Sequence, residues 1–395
     1  MFTNNDTVHF IGIGGIGVSA VARVLLEQGI TVTGSDVRES QITLELESMG
    51  AKVTIGHDPS NVENVDLVVH STAIPQTNCE LVEANNAGTR IVHRSEILGA
   101  IVAQHDLSIG VVGTHGKGTV ASAITWILES CGRKPSFIIG GLLENLGKKN
   151  ARYVDGNIAV AEVDESDGSL RNVHPNIVVI NNLEADHLNY YDSLEHIQDT
   201  VIDALDSNPR LQHVILNADS PGAIALAPRI KTNVVTFGRE QEADIRCVDI
   251  SCAPMESTLT LTHKGEPLGT TNMGQPGLYN ADNAIAATAA SILLDIPFDS
   301  VANALGSFRG LENRFTVLEI GGRRVIKDYI SHPTGIRRVL AAAKADGTET
   351  ELLSREEITA RYPFYHLDDI LLGSINLKDE GYWDGGTVFD WLRRS

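Results

Sequence analysis

The chain has 395 residues, of which 42% are hydrophobic, and this is typical of a soluble globular protein with two or three domains. Its formal net charge of −20 argues against nucleic acid and anionic membranes as partners, because both are negatively charged themselves. The N-terminus is polar and no apolar run reaches membrane-spanning length, so we expect a cytoplasmic protein that is a monomer or a homodimer.

Residues 1–105 alternate between strand and helix patterns, which predicts a parallel sheet covered by helices. After a strand at Thr7–Ile11, the sequence Gly-Ile-Gly-Gly-Ile-Gly at positions 12–17 leads into a helix predicted over 19–28. This glycine-rich turn fits a dinucleotide-binding fingerprint together with Asp36, which ends the next strand. The N-terminus of the helix could bind a pyrophosphate and the carboxylate a hydroxyl group, which suits either NAD or a UDP-sugar. Alternatively, the glycines serve only tight helix–strand packing and bind no ligand.

The segment 106–320 begins with a pattern typical of a nucleotide site. The apolar strand Leu107–Val112 is followed by Gly113-Thr114-His115-Gly116-Lys117-Gly118-Thr119 and by a helix predicted over 119–131. Glycines let the backbone approach phosphate closely, and a lysine in this position contacts the β- and γ-phosphates of a nucleotide. Gly118 stands where a P-loop normally has a Mg²⁺-binding Ser or Thr. A glycine-rich turn with an incidental surface lysine is the competing interpretation.

Two acidic turns follow neighbouring predicted strands of this segment. Glu162-Val163-Asp164-Glu165-Ser166-Asp167 ends a strand predicted at 158–163, and Glu184-Ala185-Asp186-His187 follows a strand at Ile177–Ile180. Parallel strands end at the sheet edge where ligands bind, so the two turns and the lysine loop together predict a cation site. Taken singly, each turn would more often be an acidic helix cap.

Further strands are predicted at 214–216 and 234–237, and an alanine-rich helix at 278–294. The segment 321–395 starts with a strand at 324–326 and is rich in aromatic residues over 362–391. Arg314 and Asp328 lie where the second segment meets the third. An arginine there could close on a transferred phosphoryl group, and a surface salt bridge is an equally good interpretation.

Many short motifs, in order from residue 7 to about 340, resemble the Mur ligases, the ATP-dependent amide ligases of peptidoglycan synthesis. The motifs are Gly-Ile-Gly-Gly-Ile-Gly at 12–17, Gly-Ser-Asp at 34–36, His-Ser-Thr-Ala-Ile at 70–74, Arg-Ser-Glu at 94–96, Gly-Thr-His-Gly-Lys at 113–117, Asp-Glu-Ser-Asp at 164–167, Glu-Ala-Asp-His at 184–187, Asn-Ala-Asp at 217–219, Tyr279-Asn280 with Asn283, Arg314-Phe315, and Asp328-Tyr329 with His332-Pro333-Thr334. The resemblance implies an α/β protein of three domains. These are a Rossmann-like UDP-sugar domain over 1–105, a P-loop ATPase domain over 106–320, and a short, atypical C-terminal domain over 321–395.

The resemblance also implies a role for each matching residue. The UDP-sugar would be held by Gly12, Gly14, Gly15, Gly17, Asp36 and Ser71. ATP would be bound by Gly113, Thr114, His115, Gly116, Lys117, Gly118, Thr119, Asn283, Arg314 and Asp328, with Asn283 at the adenine. Mg²⁺ would be held by Glu165 and His187, with Thr119 as the nearest hydroxyl, and the catalytic residues would be Lys117, Glu165, His187 and Arg314.

The implied reaction joins an amino acid to the carboxylate of a UDP-N-acetylmuramate-like sugar nucleotide through an acyl phosphate. L-alanine is the amino acid in the branch of the family that the chain most resembles. The chain departs from the family at Gly118, at Val120 in place of a threonine, around residues 327–335, and in the length of its third domain. A ligase acting on another acid or amine, and a non-catalytic homologue that only binds UDP-sugar or nucleotide, are therefore the alternatives.

Overall fold

A computed structural model of the chain describes residue 3 and residues 5–187, 190–253, 256–320, 323–328, 333–345, 350–354 and 372–376. The aromatic stretch at 362–391, apart from 372–376, lies outside the described residues, and so do the changed residues Ile330 and Ser331 and the matching residues Tyr329 and His332. Within the described part, no helix has both the length and the apolar character needed to cross a membrane.

The first domain is a five-stranded parallel sheet with the strand order β3-β2-β1-β4-β5. Its elements are β1 (Thr7–Ile11), α1 (Ile16–Glu27), β2 (Thr31–Asp36), α2 (Gln41–Ser48), β3 (Lys52–Ile55), β4 (Leu67–His70), α3 (Cys79–Ala87), β5 (Arg90–His93) and α4 (Arg94–Ala103). The predicted α/β class is confirmed. Helix α1 begins three residues before the predicted position 19, because Gly15 caps it from inside the glycine motif.

The second domain is built on a ten-stranded sheet with the order β15-β14-β13-β12-β11-β10-β6-β9-β7-β8. Its elements are β6 (Leu107–Val112), α5 (Lys117–Ser130), β7 (Ser136–Leu143), β8 (Lys149–Arg152), β9 (Ile158–Glu162), β10 (Ile177–Ile180), α6 (Leu194–Asp206), β11 (His213–Asn217), α7 (Pro221–Ile224), β12 (Asn233–Gly238), β13 (Ile245–Ala253), β14 (Glu256–His263), β15 (Glu266–Met273), α8 (Leu278–Leu293) and α9 (Phe298–Gly306). Strands β6 and β9–β12 are parallel, and β13–β15 form an antiparallel meander that the sequence patterns did not predict.

The C-terminal elements are smaller. Strands β16 (Thr316–Ile320) and β17 (Arg323–Lys327) form an antiparallel pair, which helix α10 (Pro333–Ala345) follows. Strands β18 (Thr350–Ser354) and β19 (Leu372–Asn376) form a second antiparallel pair.

The buried helix α5 packs against α8 and against strands β6, β7 and β9. Helix α8 is rich in alanine and is buried along most of its length, and small side chains let two helices approach closely. This packing fixes the first turn of α5, which carries the predicted lysine, at the carboxyl ends of the central parallel strands.

The first two domains are docked through polar contacts between buried groups and, at one further point, between half-buried groups. Arg23, which is 3% exposed, donates from Nε to Asn150 Oδ1 over 3.2 Å, and Asn150 Nδ2 donates to the carbonyl of Ile16 over 3.0 Å. Arg94 Nη2 donates to Asp164 Oδ2 over 2.6 Å. Because buried polar groups are costly when unpaired, these contacts fix the orientation of the two domains.

A buried carboxylate supports the glycine turn of the first domain from behind. Glu80 Oε2 accepts a hydrogen bond from the Ser35 hydroxyl over 2.6 Å, and the Ser35 carbonyl accepts from the backbone N–H groups of Gly12 and Ile13. Burial alone would raise the pKa of Glu80, but hydrogen bonds from His9, Ser35 and Asn61 outweigh burial and lower this pKa to about 2. The charged form of Glu80 is therefore part of the folded state.

Replacing Glu80 by Gln should make the first domain less stable by about 3 kcal/mol at neutral pH, because the folded-state pKa lies well below the ordinary value of 4.5. A depressed folded pKa contributes stability above the unfolded pKa and loses it as the pH falls. The difference between wild type and Glu80→Gln should therefore shrink between pH 4.5 and pH 2. Urea unfolding over a pH series measures it, with the exposed Glu63→Gln as control. A difference that does not change with pH would contradict this role.

Candidate active site

One cleft of about 820 Å³ lies between the two sheet domains and the C-terminal elements. Of the residues that the sequence singles out, those lining it are Gly15, Gly17, Ser71, Thr114, His115, Gly116, Lys117, Gly118, Thr119, His187, Asn283, Arg314 and Asp328. Gly12, Gly14, Asp36, Gly113 and Glu165 do not line it. The structure thus brings the glycine turn of the first domain and the lysine loop of the second domain to the same cavity.

The lysine loop, residues 113–117, is held by the end of strand β10. The backbone carbonyl of Asn182 accepts a hydrogen bond from the Thr114 N–H over 3.1 Å. Its side-chain Oδ1 accepts one from the His115 N–H over 2.7 Å. Gly116 adopts φ +77°, and a Cβ there would lie 2.4 Å from Asn283 Oδ1 and 2.6 Å from Asn181 Nδ2. Only glycine fits this position, because both the left-handed backbone and the two amides exclude a side chain.

Asn283 is predicted to contact adenine, and the structure places it against the lysine loop. Its Oδ1 accepts a hydrogen bond from Asn181 Nδ2 over 2.9 Å, and the same Nδ2 donates to the carbonyl of His115 over 2.9 Å. Asn181 was not singled out from the sequence. The sequence offered only a weak signal for Asn181. It directly follows a predicted parallel strand next to the one that leads into the lysine loop.

Lys117 is the first residue of α5, and its ammonium group is buried in an acidic environment. Nζ donates to Glu165 Oε1 over 2.9 Å and to the carbonyl of Gly113 over 2.7 Å. Burial alone would lower the pKa of Lys117, but the nearby carboxylates of Glu165, Asp164 and Glu162 raise it, so the lysine is charged. Burial raises the pKa of Glu165, and Lys117 opposes that shift only in part.

Carboxylates outnumber cations at this end of the cleft. Glu162, Asp164, Glu184 and Asp186 all line it, together with the single cation of the lysine loop, Lys117. Glu162 ends strand β9, and its Oε2 accepts from the Gly140 N–H over 2.6 Å and would lie 3.1 Å from a Cβ on Gly118. It is therefore the strand-end carboxylate next to the first turn of α5, and the sequence analysis did not select it over Glu165.

The residues predicted to hold Mg²⁺ are close together without forming a closed metal site. His187 Nε2 lies 4.0 Å from Glu165 Oε1, and Thr119 is 7% exposed at the start of α5. The buried Glu165 Oε2 has no hydrogen-bond partner among the described residues, which also contain no group of three or more His, Cys, Asp or Glu arranged to hold a metal ion. This part of the site has more carboxylate oxygens than cations, and one of these oxygens, Glu165 Oε2, has no hydrogen-bond partner among the described residues. Such a set of donors fits a hard divalent cation that completes its coordination with water and substrate.

The glycine turn of the first domain is joined to the cleft by a residue without a predicted role. Arg94 begins α4, and its guanidinium Nη1 would lie 3.3 Å from a Cβ on Gly17, in the first turn of α1. The bond from Arg94 to Asp164 places this cation between the glycine turn and the lysine loop. Asp36, predicted to bind a ligand, accepts a hydrogen bond from the Gly14 N–H over 2.8 Å, so one of its oxygens holds the turn itself.

The C-terminal elements reach the cleft at two points. Arg314 Nη1 lies 3.8 Å from Asp328 Oδ1, and Asp328 Oδ2 accepts from the Phe315 N–H over 3.0 Å. Thr334, in the first turn of α10, donates from Oγ1 to Glu184 Oε2 over 2.9 Å. The third part of the chain therefore contributes directly to the wall of the site.

Two family models match the parts of the chain that form most of the cleft. Residues 7–106 match the Mur ligase family catalytic domain, and residues 111–291 match the Mur ligase middle domain. The chain belongs to the Mur ligase family, as its sequence motifs predicted.

The similar proteins are ligases of the same kind. The chain is 39% identical to the UDP-N-acetylmuramate–L-alanine ligase of Trichlorobacter lovleyi, covering 89% of this chain and 77% of that protein. It is 36% identical to the enzyme of the same name from Geotalea daltonii, covering 98% and 87%. Among solved structures, it is similar to the UDP-N-acetylmuramate–alanine ligase of Thermotoga maritima, with a TM-score of 0.78 and 28% identity over 87% of this chain and 78% of that chain.

A second similar structure is that of a ligase whose name gives a different amine. The UDP-N-acetylmuramate:L-alanyl-γ-D-glutamyl-meso-diaminopimelate ligase of Neisseria meningitidis matches with a TM-score of 0.71 and 26% identity, over 78% of this chain and 99% of that chain. Family membership thus leaves the amine substrate to be argued separately.

The position of Lys117 predicts separate effects on affinity and on stability. Lys117→Met should weaken nucleotide binding at least about tenfold, because a charge-assisted contact to phosphate contributes about 1.5–3 kcal/mol. It should also destabilise the fold, because Glu165 is left buried without its partner. Adding Glu165→Gln should restore the stability and leave the affinity low.

The two effects are measured by calorimetry with ATP and by thermal unfolding. Both are applied to the wild type, to Lys117→Met and to the double variant with Glu165→Gln. Lys148→Met is the matched control, because the side chain of Lys148 is 54% exposed in its ion pairs with Glu144 and Glu312. Unchanged nucleotide affinity in a folded Lys117→Met protein would disprove the phosphate site.

Proposed function

We propose that this protein is an ATP-dependent ligase that joins L-alanine to the carboxylate of UDP-N-acetylmuramate through an acyl phosphate. The observation that carries the proposal is the shared cleft. The glycine turn at Gly15 and Gly17 and the lysine loop at Lys117 both line it, so a sugar nucleotide on the first domain and a nucleotide triphosphate on the second would meet inside one cavity. The names of the relatives supply the two substrates.

The electrostatics of the cleft support a reaction between two anions. A carboxylate that attacks the γ-phosphate must approach a negatively charged group, so cations have to lie on both sides of the reacting atoms. Lys117 and Arg314 line the nucleotide side, and Arg94 lies beside the glycine turn. We assign Arg94 to the sugar nucleotide, because its guanidinium and the N-terminus of α1 converge near Gly17.

In the first step, an oxygen of the substrate carboxylate forms a bond to the γ-phosphorus, and ADP leaves with the electrons of the broken P–O bond. In the second step, the amine attacks the acyl carbon, inorganic phosphate leaves, and the amine loses a proton to give the amide. The protein's contribution is to position the two anions and to neutralise their charge, since little covalent chemistry falls to its side chains. Closure by α10 through Thr334 and Glu184 would help to exclude water from the acyl phosphate.

ATP and Mg²⁺ are the proposed cofactors. We assign the cation to Glu162, which lines the cleft beside Gly118, together with His187. The family resemblance implies Glu165 as a ligand, but its ion pair with Lys117 makes it better suited to hold the lysine. The bound cation would supply charge neutralisation at the β- and γ-phosphates.

The proposed function predicts phosphate release from ATP that requires both UDP-N-acetylmuramate and L-alanine, with a product that contains one alanine more than the sugar nucleotide. Phosphate release with each amino acid in turn, followed by mass spectrometry of the product, measures it. If L-alanyl-γ-D-glutamyl-meso-diaminopimelate replaces L-alanine as the effective amine, the chain is a peptide ligase. Binding of UDP-N-acetylmuramate without turnover on any amine would favour a non-catalytic homologue. Tight binding of NADH without UDP-sugar binding would refute the assignment of the first domain.

The two candidate cation ligands are distinguished by matched charge-removing variants. Glu162→Gln should raise the Mg²⁺ concentration for half-maximal activity by roughly an order of magnitude, because it removes a charged ligand. Glu165→Gln should leave that concentration nearly unchanged and mainly affect stability and ATP affinity through Lys117. A Mg²⁺ titration of phosphate release compares the two proteins. The reverse outcome would return the metal site to Glu165.

A further inference from the structure

Gly118 follows the phosphate-binding lysine, and its backbone does not explain why it is a glycine. It lies inside α5 and, unlike Gly113 and Gly116, it does not have a positive φ. A residue with a side chain could adopt the same helical backbone, and glycine has a lower helix propensity than alanine. The reason for the glycine must therefore lie in what surrounds it.

Two side chains surround Gly118. Glu162 Oε2 would lie 3.1 Å from a Cβ there, and a leucine from the linker to the C-terminal elements lies closer still. A Cβ on Gly118 would lie 2.9 Å from Leu311 Cδ1, which is closer than such atoms pack. A Cβ on Gly141, in strand β7, would lie 3.1 Å from the same methyl group. Leu311 is 3% exposed. Its side chain thus occupies a groove floored by two glycines, between the first turn of α5 and strand β7.

Backbone hydrogen bonds keep Leu311 in this groove. Leu311 pairs with Leu143 in an isolated antiparallel bridge. On either side of it, the Glu144 N–H donates to the Gly310 carbonyl over 3.1 Å, and the Glu312 N–H donates to the Leu142 carbonyl over 2.9 Å. The linker backbone is therefore attached to β7, and these bonds hold the Cα of Leu311 beside the groove.

The same linker carries Arg314 and leads to Phe315, which is hydrogen-bonded to Asp328. The Leu311 carbonyl accepts from the Arg314 N–H over 3.1 Å, and the Phe315 N–H donates to Asp328. Arg314 and Asp328 line the cleft. A shift of Leu311 would accordingly move Arg314 and Asp328 relative to the lysine loop.

We propose that Leu311 is a positioning residue that docks the linker onto the phosphate-binding turn at Gly118. The leucine occupies the volume that a side chain at position 118 would need, so the glycine and the leucine form one complementary pair. The absence of a hydroxyl at position 118 is then part of a docking contact that sets Arg314 against the nucleotide. This inference rests on the proposed function only in placing a nucleotide in the cleft.

A size-swap experiment tests the pair. Gly118→Ser should raise the Kd for ATP on the order of tenfold, because overpacking displaces Leu311 and with it Arg314. Leu311→Ala should weaken ATP binding by about three- to tenfold, since it leaves a cavity and loosens the linker. The double variant should bind ATP within about threefold of the wild type, because each change relieves the defect of the other. Leu311→Met, which keeps the volume, should remain close to wild type.

Two matched controls separate docking from general packing. Gly156→Ser adds the same side chain where the nearest neighbour of a new Cβ is 3.7 Å away, and Leu46→Ala makes a cavity in the first domain, far from the lysine loop. Gly156→Ser should leave the Kd for ATP unchanged, and Leu46→Ala should lower thermal stability without changing that Kd.

Calorimetry with ATP, thermal unfolding, and the kcat and KM for ATP are measured on every variant. Non-additive ATP affinities, with recovery in the double variant, would support the pair. Effects of Gly118→Ser and Leu311→Ala that simply add, or that appear in unfolding but not in ATP affinity, would overturn it. Because ATP binding needs no second substrate, a failure to find the amine or the UDP-sugar would count against the proposed function and leave this test intact.

Discussion

Lys117 among the carboxylates of the cleft is the interaction on which the rest of the site depends. Its buried ammonium is held by Glu165 and by the carbonyl of Gly113, so it faces the cleft from a fixed position at the start of α5. The surrounding carboxylates keep it charged, and they also give the lining of the cleft an excess of negative charge. Such a cavity accepts a triphosphate only together with further cations, and this requirement links metal binding, arginine closure and domain docking.

The sequence predicted those parts of the structure that follow from local pattern. The strands that lead into the two glycine turns are short apolar runs, so β1, β6 and the starts of α1 and α5 were predicted to within three residues. The meander β13–β15 was not predicted, although β14 alternates between polar and apolar residues as a half-buried strand does. Its pairing with β13 and β15 depends on neighbours that the sequence does not reveal.

Contacts between distant segments also decide which site residues face the cleft, and the sequence does not reveal these contacts. Glu162 and Glu165 are three residues apart in one acidic turn, and the sequence does not say which carboxylate faces the cleft. The structure separates them, since Glu162 ends β9 beside Gly118 whereas Glu165 turns towards Lys117. Arg94 was recognised only as part of a family motif, without a role, and Asn181 was not singled out. The contacts of both residues join elements distant in sequence, which no spacing rule contains.

Glycines at this site are best understood through their neighbours. Gly116 leaves room for the amides of Asn181 and Asn283, and Gly118 leaves room for Leu311. Each missing side chain is matched by one supplied from another segment, so the lysine loop is contacted from β10, from α8 and from the C-terminal linker. A loop held from three directions cannot relax when one contact is changed, because close-packed interiors transmit displacement instead of absorbing it. We therefore expect nucleotide binding at the lysine loop to depend on the placement of the C-terminal linker through packing as well as through charge.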